Sequence, residues 1–489
     1  MTTPSTAPLP QTPTQLLVGG EWRDSSRGAV FGVGNPATGA VLAEVQDAAP
    51  EDGMRALAAA HDAQAAWGST PPRVRSELLR RAYELTMQRI EDFAAVITLE
   101  MGKPLAESRG EVAYAADFLR WFAEEAVRID GRYTIAPDGR SRFLVTHRPV
   151  GPALLISPWN FPLAMATRKI APALAAGCTV VLKPADLTPL TALLFGQVLL
   201  DAGIPAGVVS ILPTSGAAAL SEPLIRDPRL RKLSFTGSTN VGRLLLSQAS
   251  ERVLRTSMEL GGNAPFLVFD DADLDAAIEG AMLAKTRNAG QVCTSANRFY
   301  VHSSLIDPFV QGLAARMAAL VVGDGLDDGV QVGPLADGRA RDKVEALVGD
   351  AVERGADVVT GGSRIDGAGF FYAPTVLARV PAGSRILSEE VFGPVAAIMP
   401  FDTEEEAVAL ANDTEYGLIA YAFTQDIDRG LRLAETLETG MLGLNAGVIA
   451  NPAAPFGGVK ESGVGREGGA EGILEYLETT YVGIGTRSL

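Results

Sequence analysis

ALLISPWNFPLAMATRKIAPALAAGCTVVLKPAD, residues 153–186, decides the fold. Ala153 to Ser157 is an apolar run of strand length. Ala164 to Ala176 repeats apolar residues at helical spacing, and Thr179 to Leu182 is a second buried strand. Strand, helix and strand in that order predict parallel pairing with helices on both faces of one sheet. Ligands of such sheets sit beyond the carboxyl ends of the strands. Two polar stretches lie there, SPWNFP (157–162) and KPAD (183–186).

The pattern continues on both sides. A helix is expected over Pro189 to Ala202, strands over Val208 to Leu212 and Leu233 to Thr236, and a helix over Val241 to Gln248. From Ala264 it begins again. Strands are expected at Phe266 to Phe269, Arg298 to Val301, Val358 to Thr360, Ala373 to Leu377 and Val395 to Phe401. Helices are expected at Leu274 to Ala289, Pro308 to Val321 and Glu404 to Asn412. Upstream, Leu17 to Val45 reads as short strands with turns at Gly19-Gly20 and Pro36 to Gly39. Helical spacing then runs over Pro50 to Trp67, Pro72 to Met87, Ile90 to Met101 and Leu105 to Ile129. Tyr114, Phe118, Trp121 and Phe122 of the last read as core. Arg132 to His147 alternates around a turn at Pro137 to Gly139, a β-hairpin that can act as an arm, and Tyr481 to Ile484 is a strand that can pair with it.

The chain has 489 residues, too many for one simple core. Its 47% hydrophobic and 20% charged content fits a globular protein. A net charge of −16 repels nucleic acid and anionic membranes, so neither is an expected partner. An anionic substrate would need positive charge supplied by the site itself. MTTPSTAPLPQTPTQLL has no basic residue and no apolar signal core, and residues 1–14 read as a disordered tail. Two cysteines far apart make no disulfide framework, which points to a reducing, cytoplasmic setting. His61, His147 and His302 are dispersed, and neither HExxH nor paired-cysteine spacing occurs, so no metal site is expected. Asp270 to Asp275 reads as a capped helix start.

Chemistry gathers at a few stretches. RNAGQVC (287–293) sets Cys293 behind a glycine. A lone cysteine is ordinarily a small buried hydrophobe, but at an open bend its thiolate is a strong nucleophile. Asn160 can stabilise an oxyanion or cap the next helix. Lys183 and Asp186 can hold ribose hydroxyls or be surface residues at a turn. FTGSTNVG (235–242) can bring backbone N–H groups against a pyrophosphate through Gly237, Ser238 and Gly242, although its spacing is not GxGxxG. Glu259, before Gly261-Gly262 in MELGGNAP, can swing as a general base or simply be solvated. Glu390 and Phe392 of EEVFGP can hold a second ribose and flank a flat heterocycle, or serve as a solvated acid and a core ring.

Taken in order, SPWNFP, KPAD, FTGSTNVG, ELGGNAP, NAGQVC and EEVFGP resemble the aldehyde dehydrogenase superfamily over nearly the whole chain. TRKIAPALAAGC, RKLSFTGST, MELGGNAPF and APFGGVKESGVGREG are most similar to the members that oxidise succinate semialdehyde. The resemblance implies an α/β fold with three parts. A Rossmann-like NAD(P)-binding domain takes 1–129 and 149–260, an α/β catalytic domain 261–463, and a small β oligomerisation arm 130–148 and 473–489. It implies Cys293 as nucleophile, Asn160 with the Cys293 N–H as oxyanion donors, and Glu259 as the base that hydrolyses a thioester. Ser157, Pro158, Trp159, Lys183, Asp186, Gly237, Ser238, Gly242, Leu260, Glu390 and Phe392 are implied to bind cofactor. Arg168 and Arg287 are implied to bind the far carboxylate of an omega-carboxy aldehyde, as a guanidinium fork suits a carboxylate. Asn451 stands where some relatives carry a serine on that carboxylate. The expected reaction is NAD(P)-dependent oxidation of succinate semialdehyde to the dicarboxylic acid. Glutarate semialdehyde or a broad aldehyde range is the alternative, in a homodimer or homotetramer. Asp186 favours NAD, and Lys183 leaves NADP open. Ser295 replaces the second cysteine with which some relatives form a regulatory disulfide, so no such switch is expected.

Overall fold

The computed structural model describes residues 8–485. Strands Arg255–Glu259, Lys232–Thr236, Ala153–Ile156, Val180–Lys183 and Val209–Ile211 run parallel, in that spatial order, at the centre of an eight-stranded sheet. Leu16–Val18 and Glu21–Arg23 extend one edge, joined by a turn in which Gly19 and Gly20 take φ of 64° and 88°; Gly463–Val464 adds to the other edge. The register fixes what stands level at the carboxyl edge. Ile156 pairs with Lys183 and with Phe235, and Thr236 pairs with Glu259. The segments that leave those four strands therefore emerge side by side.

A second sheet of seven strands is ordered Asp357–Thr360, Thr375–Ala378, Val395–Phe401, Ala296–His302, Ala264–Val268, Ile419–Phe423 and Met441–Leu444. All its pairings are parallel except that of the first strand. Here the polar motifs precede the strands. Gly262 lies just before Ala264, Cys293 just before Ala296, and Phe392 just before Val395. The carboxyl edge of the first sheet thus meets the amino edge of the second.

Arg132–Ile135, Ser141–Pro149 and Leu477–Gly485 form a separate three-stranded sheet, with Tyr481 opposite Val145. The C-terminal run does pair with the hairpin, over a longer stretch than its apolar residues indicated. Tyr133, Ile135, Tyr481 and Ile484 are exposed on it.

Several elements had no clear pattern. Strand Arg255–Glu259 is short and polar, and its burial comes from the strands on either side. Helices Ala217–Arg226, Gly338–Glu353 and Ile427–Thr436 carry only a few buried residues each, and strands Ile419–Phe423 and Met441–Leu444 follow a loop rich in turn residues. The expected tail falls on 1–7, outside the described residues, and on 8–14, which are packed. Leu9 lies against the core and the Thr14 carbonyl accepts from the Gln46 N–H at 2.9 Å. Asp273 caps helix Leu274–Thr286 by accepting from the Ala276 N–H at 3.1 Å, as the aspartate run implied. Among the described residues, no helix is long and apolar enough to cross a membrane.

Helix Pro189–Ala202 begins against a buried acid. Glu100 accepts from the N–H groups of Leu190 (2.8 Å) and Thr191 (2.9 Å), and burial pushes its carboxyl from 4.5 up to about 8. Glu100→Ala leaves two buried donors unpaired and should cost about 1–3 kcal/mol. The native carboxyl titrates above its unfolded value, so its contribution is full below about 4.5 and is lost as pH rises through about 8. Urea unfolding should therefore show a large deficit for the variant at pH 6 that narrows by pH 9; a pH-independent deficit contradicts this.

Candidate active site

A cavity of about 340 Å³ lies where the two sheet edges meet. Pro158, Trp159 and Asn160 reach it from the end of strand Ala153–Ile156, Gly237 and Ser238 from the end of Lys232–Thr236, and Leu260 and Gly261 from the end of Arg255–Glu259. Arg287, Cys293, Glu390 and Phe392 enter from the second sheet, and Arg168 from helix Pro162–Ala176.

Cys293 is half-buried and opens on this cavity, while Cys178 is sealed in the core. The segment before it is built from left-handed backbone. Asn288, Ala289 and Gly290 have φ of 50°, 53° and 75°, so the helix expected to reach Ala289 stops at Thr286. A left-handed residue with a Cβ costs about 1–2 kcal/mol. Hydrogen bonds offset this. The Asn288 N–H donates to Glu107 Oε2 at 2.7 Å, and its side-chain amide donates to the carbonyls of Asn160 (3.0 Å) and Gln291 (3.2 Å). Position 290 must be glycine, because a Cβ there would sit 2.2 Å from the Gly393 carbonyl oxygen. Gly262 likewise makes room for the Cys293 carbonyl, 2.7 Å from where its Cβ would be.

Burial pushes the Cys293 thiol up to about 12; Arg168 opposes that rise, and Glu390 and Glu259 add to it. The Asn160 amide lines the cavity. It donates one N–H to the Gln291 carbonyl at 3.0 Å, and its buried Oδ1 has no hydrogen-bond partner among the described residues. Asn160 is thus not a helix cap: the first N–H groups of the following helix go to Glu111.

Glu259 stands behind the cavity wall rather than in it. It is buried, both carboxylate oxygens lack hydrogen-bond partners among the described residues, and one of them lies 2.9 Å from where a Cβ on Gly457 would be. Burial, with Glu467 adding to it, holds its carboxyl well above the usual range. Glu467 itself is ionised. Burial opposes this, but ion pairs with Lys169 and with Arg168, both at 2.6 Å, outweigh it.

Arg168 therefore reaches the cavity already paired, with its guanidinium 4.1 Å from the centre of the Phe456 ring. Arg287 differs. It lines the cavity and makes no hydrogen bond or ion pair to any described residue. Asn451 is exposed and off the cavity wall; its Oδ1 accepts from the Ala453 N–H at 2.9 Å, a local turn that spends its acceptor.

The expected cofactor residues divide in two. Pro158, Trp159, Gly237, Ser238, Leu260, Glu390 and Phe392 line the cavity, with the Trp159 and Phe392 rings edge-on at 5.5 Å. Burial pushes the Glu390 carboxyl up to about 7. Ser157, Lys183, Asp186 and Gly242 stand outside it. Gly242 serves packing, since a Cβ there would lie 2.4 Å from the Leu260 side chain. Lys183 is buried with no hydrogen-bond partner for its Nζ among the described residues, and Asp186 beyond it is exposed. A buried, unpaired ammonium beside an exposed acid fits the hydroxyls of a ribose at this edge.

Sequence reading missed four contributors. Tyr114, expected in the core, lines the cavity; Lys343 lines it and donates to the Glu390 carbonyl at 2.6 Å; Lys169 and Glu467 make the buried ion pair behind it. Tyr114 follows the same helical spacing as its core neighbours, and the others meet only through long-range packing.

Comparison with known proteins fits this geometry. A model of the aldehyde dehydrogenase family matches residues 22–482. The chain belongs to the aldehyde dehydrogenase family. It is 61% identical to a succinate-semialdehyde dehydrogenase of Paenarthrobacter nicotinovorans over 444 residues, 91% of this chain and 99% of that one. It is 48% identical to a glutarate-semialdehyde dehydrogenase of Pseudomonas putida over 96% of this chain and 97% of that one. A crystal structure of an NADP-dependent enzyme of E. coli superposes with a TM-score of 0.96 at 48% identity, covering 97% of this chain and 98% of that one.

A thiol held up to about 12 is protonated at neutral pH, so its reactivity should climb steadily with alkalinity. Iodoacetamide alkylation of Cys293 in the cofactor-free protein, followed by peptide mass spectrometry, should accelerate from pH 7 to 10 without levelling, while Cys178 stays unmodified. A plateau below pH 8 contradicts the assigned environment.

Proposed function

We propose that this aldehyde dehydrogenase oxidises succinate semialdehyde or a close omega-carboxy aldehyde to the dicarboxylic acid, using NAD or NADP. The observation that carries the reading is Arg287, a guanidinium in the same cavity as Cys293 with no hydrogen bond or ion pair among the described residues. A protein of net charge −16 that recognises an anion needs such a group, and a fork of N–H donors matches a carboxylate. Arg168 contributes positive potential from its ion pair with Glu467 and stays close to the thiol electrostatically. Asn451 has no part in this reading.

The Cys293 thiol gives its proton to water as its sulfur adds to the aldehyde carbon, the C=O π pair moves onto oxygen, and the resulting oxyanion lies beside the second N–H of the Asn160 amide and the Cys293 N–H. The nicotinamide cofactor, when bound, supplies the acceptor for the hydride that leaves this carbon. Pro158, Trp159, Gly237, Ser238, Leu260, Glu390 and Phe392 would hold it, and Lys183 and Asp186 would serve its ribose. The carbon is then a thioester on Cys293. Glu259 swings from its recess past the glycines at 261, 262 and 457, takes a proton from water, and the hydroxide releases the acid and the thiol. Ionisation of Glu259 in the resting site is opposed by burial, and Lys169, Arg168 and Arg466 are the nearby charges that favour it.

The unit built on the first sheet binds the cofactor, and the unit from 261 carries the nucleophile. The arm, with Tyr133, Ile135, Tyr481 and Ile484 exposed, joins copies of the chain into a dimer or tetramer. Two unpaired cysteines fit a reducing, cytoplasmic setting. Glutarate semialdehyde is the second substrate reading, favoured by the Pseudomonas putida relative.

Removing the partner of a carboxylate inside a cavity costs about 1.5–3 kcal/mol, roughly 10- to 150-fold. Arg287→Ala should lower kcat/KM for succinate and glutarate semialdehydes by that factor while leaving butanal within about threefold. An equal loss for butanal, or no loss for the semialdehydes, contradicts the carboxylate assignment.

A further inference from the structure

Helix Leu105–Glu125 and the lysine before it place three charged groups beneath the cavity, none of them in its lining. Lys103 and Glu111 are buried and paired at 2.5 Å. Lys103 Nζ also donates to the Asn160 carbonyl at 2.8 Å and sits 3.7 Å from the centre of the Phe161 ring. The other oxygen of Glu111 accepts from the Leu163 and Ala164 N–H groups at 2.9 and 3.3 Å, holding the start of helix Pro162–Ala176. One turn earlier, on the same helix face, Glu107 accepts from the N–H of Asn288. Asn288 closes the circuit through its side-chain amide, the second donor to the Asn160 carbonyl.

Two loops from different sheets are thus pinned to one rigid helix and to each other. One carries the Asn160 amide and the other is the left-handed turn that delivers Cys293. Stability alone does not account for this set. A buried ion pair returns little of its desolvation cost, and apolar residues of the same volume would fill the space as well. What the charges add is direction. With its carbonyl oxygen taken by two donors below, residue 160 presents its side-chain amide to the cavity above.

We propose that Lys103, Glu107 and Glu111 are positioning residues that hold the Asn160 amide in register with the Cys293 thiol. The proposal rests on the reading that Asn160 receives the oxyanion. Misplacing a catalytic group by about 1 Å can cost about 100-fold in rate. Glu107 is the residue to change, since it is half-buried and its loss leaves the Lys103–Glu111 pair intact.

The experiment is steady-state kinetics of the full-length protein with succinate semialdehyde, on Glu107→Ala, Glu107→Gln, Asn160→Ala and the Glu107→Ala/Asn160→Ala double variant. Iodoacetamide labelling of Cys293 serves as a second readout. Glu107→Ala should lower kcat by about 10- to 100-fold with KM within about twofold. Glu107→Gln, whose amide oxygen can still accept from the Asn288 N–H, should recover most of that loss. In the double variant the two losses should not multiply, because both act through one group. The labelling rate of Cys293 should change severalfold in Glu107→Ala and return in Glu107→Gln. Unchanged kcat and labelling in Glu107→Ala, or losses that multiply in the double variant, overturn the positioning role alone. Full activity of Asn160→Ala overturns the oxyanion reading as well, so the two failures are distinguishable.

Discussion

Everything at the site depends on strand register. Ladder hydrogen bonds set Ile156 level with Lys183 and Phe235, and Thr236 level with Glu259. A slip of one residue in a parallel strand would send every side chain of that strand to the opposite face and move its terminal motif off the common edge. The second sheet meets this edge with the amino ends of its strands, so Cys293 and Glu390 arrive from the opposite direction. Neither sheet holds a complete site; the chemistry exists only where the two edges abut.

The electrostatics follow from that burial. Cys293 and Arg168 line the cavity, and Glu259, Glu467 and Lys169 are buried behind it. Burial, with the Glu467 charge adding to it, holds the Glu259 carboxyl well above the usual range, and Arg168, Lys169 and Arg466 oppose that rise. Burial likewise keeps the Cys293 thiol high, with Arg168 opposing the rise and Glu390 and Glu259 adding to it. Arg287, outside this network, is a cavity-lining guanidinium with no hydrogen bond or ion pair among the described residues, whereas Lys343 is held on the Glu390 carbonyl, and on that difference the proposed substrate class rests. A net-negative protein can recognise an anion because the field inside so small a cavity is set by the nearest groups rather than by the distant surface.

Much of this was legible in the sequence. Alternating strand and helix patterns located most of the inner strands of both sheets, since residues buried on two faces read as continuous apolar runs. The motifs at strand ends marked the cavity, and Cys293, Asn160, Arg168 and Arg287 do converge there. The misses have physical causes. Arg255–Glu259 is a strand because its neighbours pair with it, not because RTSME favours one. Helix Leu274–Thr286 ends early because its neighbours hold Asn288 and Ala289 left-handed, an override of propensity that only packing reveals. Periodicity cannot separate Tyr114, which faces the cavity, from Phe118 in the core one turn on. Asn451, placed by resemblance to a serine in relatives, is exposed and outside the cavity lining, with its Oδ1 accepting from the Ala453 N–H.

The account reduces to one covalent intermediate, a thioester on the sulfur of Cys293 made by addition to the aldehyde and loss of hydride, and hydrolysed with the help of Glu259. Intact-protein and peptide mass spectrometry of Glu259→Gln, quenched after mixing with succinate semialdehyde and NAD or NADP, addresses it directly. The account predicts a succinyl adduct confined to the Cys293 peptide, formed with about one equivalent of reduced cofactor per site before turnover slows. Reduced cofactor formed without an adduct, or an adduct on another residue, would contradict it.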